Sequence, residues 1–528
     1  MNRSYTAASA LLLAASLLAS GRVLAAPETG LTPLEQHGKQ VYVEGTSPSG
    51  KPIEALVGVE GFPLPASSMP CASCHGHDGR GRPEGGVIPS DVTWSHLTTS
   101  YGHEHSYGRE HPAYDASSVA LAISQRIDPA GNALDVAMPA YRMEPEDLDA
   151  LVAYLRRIET DYDPGITPES ITLATLLPLS GRMAGLGNAM RAVLDAYVDE
   201  LNAAGGINGR VVELDVFPFA DSPDDALANL EAALATSGTF ALLSPYSIGI
   251  EAELARFAET AQLPVIAPYS LRPPSSIVLD EYSFYLFAGD AQLMRVLVET
   301  VADGNSGSDP GVALLGPDVA EVHSLAKAVT SQARRRGWQD PVPAYYEPGA
   351  FDPAASAERV RDAGVLFFFG SSEELGALLA ELADADTVPL VALPASRVTR
   401  SLFDAPAAFD GRILSAYPRS PADVTAAGRQ AYLALRAGHE LADNHASAQL
   451  AVLAAAEIFA EAAMRAGRHL SRESLIGALE TLHEFDTGLT PVLTFGLNRR
   501  IGALGAHVVR MDLGQGTFVA EGPWRPLQ

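Results

Sequence analysis

Five consecutive residues constrain this chain more than any other stretch: Cys71-Ala72-Ser73-Cys74-His75. Two thiols three positions apart can each add to a vinyl group on the same edge of a haem, and a histidine directly after them can turn a ring nitrogen to the iron. A redox dithiol or half of a zinc site shares the Cys-x-x-Cys spacing. Both fit poorly, because the chain has only 2 cysteines, both already in this motif, and a histidine follows at once. The motif marks Cys71, Cys74 and His75 as cofactor-binding residues for one covalently attached haem c, with His75 also a metal ligand.

With both cysteines in the motif, none remain for a disulfide, so the chain must be held by ordinary apolar cores, and 528 residues are enough for several domains. A hydrophobic share of 47% and a charged share of 19% suit a soluble globular protein. The formal net charge of −28 argues against nucleic acid and anionic membrane surfaces as partners. A basic partner would suit it, and solubility alone explains it equally well. The first residues read as an export signal: Arg3 is followed by a small and apolar run from Ala8 to Leu18, and Val23-Leu24-Ala25 precedes an expected cut after Ala25. The run is short for a bilayer span, and no cysteine at the cut offers a lipid anchor. The mature protein is expected in the periplasm, where covalent haem and an exported chain agree.

Residues 31–160 form the first expected domain. Leu34, His37, Gly38, Val41 and Tyr42 recur at helical spacing before the motif. Glu144-Pro145-Glu146-Asp147 opens a second helix with acids in its first turn, Leu148, Leu151, Val152, Leu155 and Ile158 on its apolar face, and Arg156-Arg157 at its end. This layout resembles the class I cytochromes c. The resemblance implies an all-α domain whose first and last helices cross, with Gly38, Tyr42 and Tyr154 at the crossing. It also implies a distal methionine ligand from a Met-Pro segment before the last helix. Met138-Pro139 fits, so Met138 is the expected second iron ligand, and a thioether there would raise the potential. Met143 lies nearer the helix start and is read as packing. His96, His103, His105 and His111 cluster with Tyr101, Gly102, Tyr107 and Gly108; a solvated loop is preferred over a bis-histidine haem or an accessory metal site. Gly76, Gly79, Gly81, Gly85 and Gly86 would let backbone approach the haem edge. Glu44 to Pro70 is a proline- and glycine-bearing insertion of unassigned role.

Asp161 to Pro168 lacks periodicity and carries two prolines, so residues 161–170 are expected to be a linker. From residue 171 to 528 strands and helices alternate. Expected strands include Ile171–Leu177, Val211–Phe217, Pro264–Ala267, Gly311–Leu315 and Val365–Phe369, and expected helices include Met190–Asn202, Glu251–Gln262 and Val322–Arg336. Such alternation predicts parallel sheets flanked by helices, in two similar halves. Leu177-Pro178-Leu179-Ser180-Gly181 and Asn202-Ala203-Ala204-Gly205-Gly206-Ile207-Asn208-Gly209-Arg210 resemble type I periplasmic binding proteins, and within them the branched-chain amino-acid receptors of ABC importers. The resemblance implies two α/β lobes joined by crossing strands and closing on a ligand in the cleft. The matching loops give Ser180, Gly181, Ser247, Tyr269, Ser270, Ser371 and Ser396 as ligand-binding candidates. Any one of these serines fits a turn or helix cap equally well. Receptors of that branch pair the ligand ammonium with an acid of the second lobe. Here the matching loop reads Pro394-Ala395-Ser396-Arg397, and Asp318 and Glu373 are the nearest substitutes. An unpaired ammonium in a cleft is costly. The ligand is therefore expected to be a carboxylate, an aromatic or another small organic molecule rather than an ordinary α-amino acid.

Haem and a ligand cleft in one chain predict a periplasmic electron carrier tied to ligand binding, serving an extracytoplasmic dehydrogenase or a terminal oxidase. The alternative is a solute receptor for an importer permease, with haem as an appendage. An enzyme acting on the ligand ranks last: a methionine-capped iron has no open position, and His323, His439, His445, His469 and His483 are scattered with no nucleophile–base arrangement.

Overall fold

The structure is a computed structural model that describes residues 30–81, 87–105, 108–220, 222–234, 237–273, 281–384 and 388–527. The expected export signal, Gly85, Gly86 and Tyr107 lie outside the described residues. The chain divides into two compact units between Asp161 and Tyr162.

In the first unit, helix Pro33–Glu44 starts at a Thr32–Glu35 capping box and stops at Gly45, whose φ of 64° breaks the helix. It crosses helix Pro145–Leu155 at Gly38. A Cβ there would lie 2.0 Å from the Ala150 carbonyl oxygen and 2.7 Å from Tyr154 Cβ, so only glycine permits this approach. Tyr42 and Tyr154 pack with ring centroids 5.6 Å apart. The Tyr42 hydroxyl donates to the Gly76 carbonyl at 2.7 Å, which ties the helix crossing to the residue after His75.

This unit is not all-α. Strand Glu54–Val57 pairs antiparallel with Phe62–Pro65 on one side and Ala140–Arg142 on the other. His103–Glu104 and Glu110–His111 form a second, two-stranded pair. The insertion from Glu44 to Pro70 supplies the first hairpin, turned by Gly58 and Gly61 at φ 72° and 66°. Its pairing with Ala140–Arg142 fastens the chain directly after Met138-Pro139.

In the second unit, the segment expected to be a linker is packed. Asp163 accepts from the Arg472 backbone N–H at 2.6 Å. Gly165 has φ 84°, and a Cβ there would meet the Phe240 nitrogen at 2.3 Å. Strand Ser170–Leu177 then enters a sheet of six parallel strands, in the order Ile501–Ala503, Ser283–Phe287, Val265–Ile266, Ala241–Leu243, Ser170–Leu177, Val211–Pro218. A second sheet runs Val342–Tyr346, Val312–Pro317, Val365–Phe368, Leu390–Pro394 and Ile413–Tyr417 in parallel, with Gly505–Asp512 antiparallel beyond. Helices cover both faces, so the inner strands are apolar throughout; all of Val365–Phe368 is buried.

Among the described residues, three segments pass from one lobe to the other. Gly289 links Ser283–Phe287 to helix Asp290–Gly304, Pro418 follows Ile413–Tyr417, and Leu504 separates Ile501–Ala503 from Gly505–Asp512. Helix Ala446–Ala466 is long and apolar enough to cross a membrane, yet its residues lie in the first lobe's core with Leu173, Val193 and Leu243. The Gly-Gly-Ile-Asn-Gly run is a tight turn. Gly206, Asn208 and Gly209 have φ of 68°, 51° and 83°, and Ile207 is buried between them. The helix expected from Met190 starts at Ala184, with Gly187 inside it because a Cβ would strike the Pro178 carbonyl at 2.2 Å.

Candidate functional site

The first unit holds a cavity of about 240 Å³ lined by Cys71, Cys74, His75 and Met138, with Leu97, Val119, Ile123 and Leu155 among its apolar walls. Cys71 and Cys74 sit one turn apart on helix Cys71–His75, which puts both thiols on one face. His75 Nδ1 donates to the Ser90 carbonyl at 2.8 Å. That bond fixes the tautomer and leaves Nε2 as a bare acceptor. Burial keeps the His75 pKa below its ordinary value and pushes the Cys71 thiol up to about 12. Met138 is held by a turn in which its N–H donates to the Asp135 carbonyl at 3.1 Å. Two residues past Pro139, the Tyr141 hydroxyl donates to the Met69 carbonyl at 2.7 Å, joining the methionine segment to the approach of the cysteine motif. Met143 packs into the core instead and is not part of the cavity wall. A neutral imidazole nitrogen, two thiols on one helical face, a thioether and apolar walls fit a haem.

His103, His105 and His111 do not form a solvated loop, whereas His96, on helix Trp94–Leu97, is exposed. His96 and His103 have ring centroids 4.5 Å apart, His103 and His111 5.2 Å, His105 and His111 5.0 Å. All four line the same cavity, and His111 is only 6% exposed. His105 Nε2 and His111 Nε2 are 2.8 Å apart and share one hydrogen. Burial, with Arg109 and the neighbouring rings, pushes His105 down to about 4. Among the described residues no three His, Cys, Asp or Glu side chains are arranged to hold a metal ion. The usable signal is alternation: His103 and His105 are two positions apart, at the start of and just past strand His103–Glu104, and His111 pairs directly with His103.

The second unit holds a smaller cavity, about 130 Å³, between its lobes. Tyr269 and Ser270 line it from the first lobe, and Ser396 lines it from the second. Ser247 lies behind, 1% exposed, its hydroxyl donating to the Tyr269 carbonyl at 3.2 Å. Ser180 precedes the short turn Gly181–Met183, and neither it nor Gly181 lines the cavity. Ser371 caps helix Ser372–Leu382 in a box with Glu374. Asp318 pairs with His323 at 2.9 Å, half exposed to solvent. The acid of the cleft is Asp290, which the sequence reading missed. It opens helix Asp290–Gly304, and the Ser396 hydroxyl donates to it at 2.8 Å. Burial raises its pKa to about 6. Phe287 and Arg419, at two of the crossings, line the cavity as well.

Two α/β lobes, three crossings and a cleft between them define a two-lobed solute-binding protein. The periplasmic binding protein family matches residues 170–515, and the chain belongs to that family. The cytochrome c family matches residues 66–159, and such a domain binds haem. Leu/Ile/Val-binding protein homolog 3 of Brucella melitensis biotype 1 is 25% identical over 225 residues, which is 42% of this chain and 60% of that protein. Among solved structures, a branched-chain amino-acid ABC transporter protein from Thermus thermophilus with bound valine is 16% identical at TM-score 0.52, covering 68% of this chain and 97% of that one. A fatty acid ABC transporter substrate-binding protein from Thermomonospora curvata is 17% identical at TM-score 0.52, covering 70% and 95%. At such identities the likeness is one of fold. The chain thus joins a segment that matches cytochrome c to a domain of the periplasmic binding protein family.

Proposed function

We propose that this is an exported electron carrier with one haem c, bound through Cys71 and Cys74 and ligated by His75 and Met138, whose redox traffic with an extracytoplasmic dehydrogenase or a terminal oxidase is linked to a small molecule in the interlobe cleft. The observation that carries the reading is the single cavity lined by all four residues. A haem held there supplies one-electron chemistry at its iron. The chain's own residues do the rest: Ser90 fixes the His75 tautomer, Tyr141 and the Glu54–Val57 sheet anchor the Met138 segment, and the apolar walls exclude water. Export with cleavage after Ala25 belongs to the same reading.

The test begins with the exported protein. Porphyrin should stay with the polypeptide through acid-acetone extraction, and the mature N-terminus should be Ala26. In stopped flow, a quinoprotein alcohol dehydrogenase with its substrate should reduce the haem within turnover time. A chain that loses its porphyrin, or that no dehydrogenase reduces, removes the electron-carrier role. The likeness of the second unit to importer receptors supports the other reading, a permease-linked solute receptor with a haem appendage. That reading needs no redox donor at all.

A further inference from the structure

Arg419 stands at the second crossing, just after strand Ile413–Tyr417. It lines the interlobe cavity with its guanidinium carbon 5.1 Å from the centre of the Phe287 ring. One of its nitrogens donates to the Ser447 carbonyl. Among the described residues no carboxylate comes within ion-pair distance of it. The nearby acid, Asp423, is already engaged by His507 Nε2 at 2.8 and 3.0 Å and by the Ser420 N–H at 2.6 Å. Arg419 is half-buried, and burial pushes its pKa down. A guanidinium has five N–H donors in a planar fork matched to a carboxylate. A half-buried cation on a cavity wall with no carboxylate partner is favoured by an anion brought in beside it.

The size and remaining polarity of the cavity narrow the anion. About 130 Å³ is well short of the ~300–1,000 Å³ of pockets for drug-sized ligands. Asp290, on the same cavity, opposes a second negative charge and would accept a hydrogen bond from a donor group. Phe287 and Leu271 offer apolar surface for a short carbon skeleton.

We propose that Arg419 is the carboxylate-recognition residue of the interlobe cleft and that the ligand is a small organic monocarboxylate. The inference rests on the reading that the cleft takes a small solute, and it names that solute's charged group. The experiment uses the full-length, haem-loaded protein and isothermal titration calorimetry with isovalerate, valine and benzoate, each against its neutral amide. At least one acid should bind tenfold or more tightly than its amide. Arg419→Gln should remove that preference, and Arg419→Lys should retain part of it, which guards against a mere folding defect in the glutamine variant. Amides binding as well as their acids, or a preference that survives Arg419→Gln, overturns the assignment and leaves the solute-binding reading standing. No binding by any acid or amide overturns both.

Discussion

Two side chains carry the sharpest consequences. Met138 faces the cavity that holds His75, while Met143 is packed in the core. A thioether ligand favours reduced iron. Met138→Ala should therefore abolish the weak sulfur-to-iron absorption at the red end of the spectrum and lower the potential, with the porphyrin still covalently bound; Met143→Ala should keep both. An unchanged spectrum in the first variant refutes the ligand assignment. Asp290 bears on stability through pH. Its folded pKa of about 6 lies above the ~3.9 of an unfolded aspartate. Between those values the folded state holds a proton that the unfolded state releases, so this residue's contribution to stability falls as pH rises from about 4 to about 6. Above that window the ionised carboxylate costs on the order of 2–3 kcal/mol. Asp290→Asn should match the wild type near pH 4 and exceed it in urea unfolding at pH 7.5 by about that amount. A difference independent of pH would contradict the burial argument.

At the scale of elements, the helix crossing in the first unit depends on one absent methyl group. Gly38→Ala would push a Cβ to 2.0 Å from the Ala150 carbonyl oxygen, a clash with backbone that no rotamer relieves. The helices must separate, and a loss of about 2–4 kcal/mol is expected, read as an earlier loss of the haem Soret band on heating. Gly376 is the contrast. It sits inside helix Ser372–Leu382 with nothing within 4 Å of an added Cβ, so Gly376→Ala should be neutral or stabilise by up to ~1 kcal/mol. The same contrast explains what the sequence made legible. Gly38 and Tyr42 stood out because a crossing of two amphipathic helices writes a local 3.6-residue pattern. The parallel strands stood out because burial on both faces makes them apolar runs. The hairpin in the Glu44–Pro70 insertion did not, since its partner strand Ala140–Arg142 lies far along the chain and short strands of mixed burial carry little pattern. The histidines looked solvated because only pairing register brings His103 opposite His111. Asp290 and Arg419 went unseen for a related reason: Asp290 opens a helix and Arg419 lies on a crossing segment, and only the assembled lobes put them on one cavity.

For the whole molecule the question is whether the cleft and the iron exchange free energy. If they do, linkage makes the effect reciprocal: a ligand that binds the reduced protein more tightly must raise the potential, and reduction must tighten the ligand, by the same factor. A tenfold affinity difference between redox states corresponds to about 59 mV for a one-electron couple. An electron carrier tied to its ligand should therefore show a midpoint potential that moves by tens of millivolts when an isovalerate-class acid saturates the protein, and equal displacement in the opposite cycle when affinity is measured on oxidised and reduced samples. A receptor with haem as an appendage should show tight binding, a raised melting midpoint by mass action, and a potential that stays where it was. Potentiometric titration with and without saturating ligand separates the two. Because the two halves of the cycle must agree, a shift in potential without a matching shift in affinity would expose incomplete saturation or a second binding site rather than coupling between the cleft and the iron.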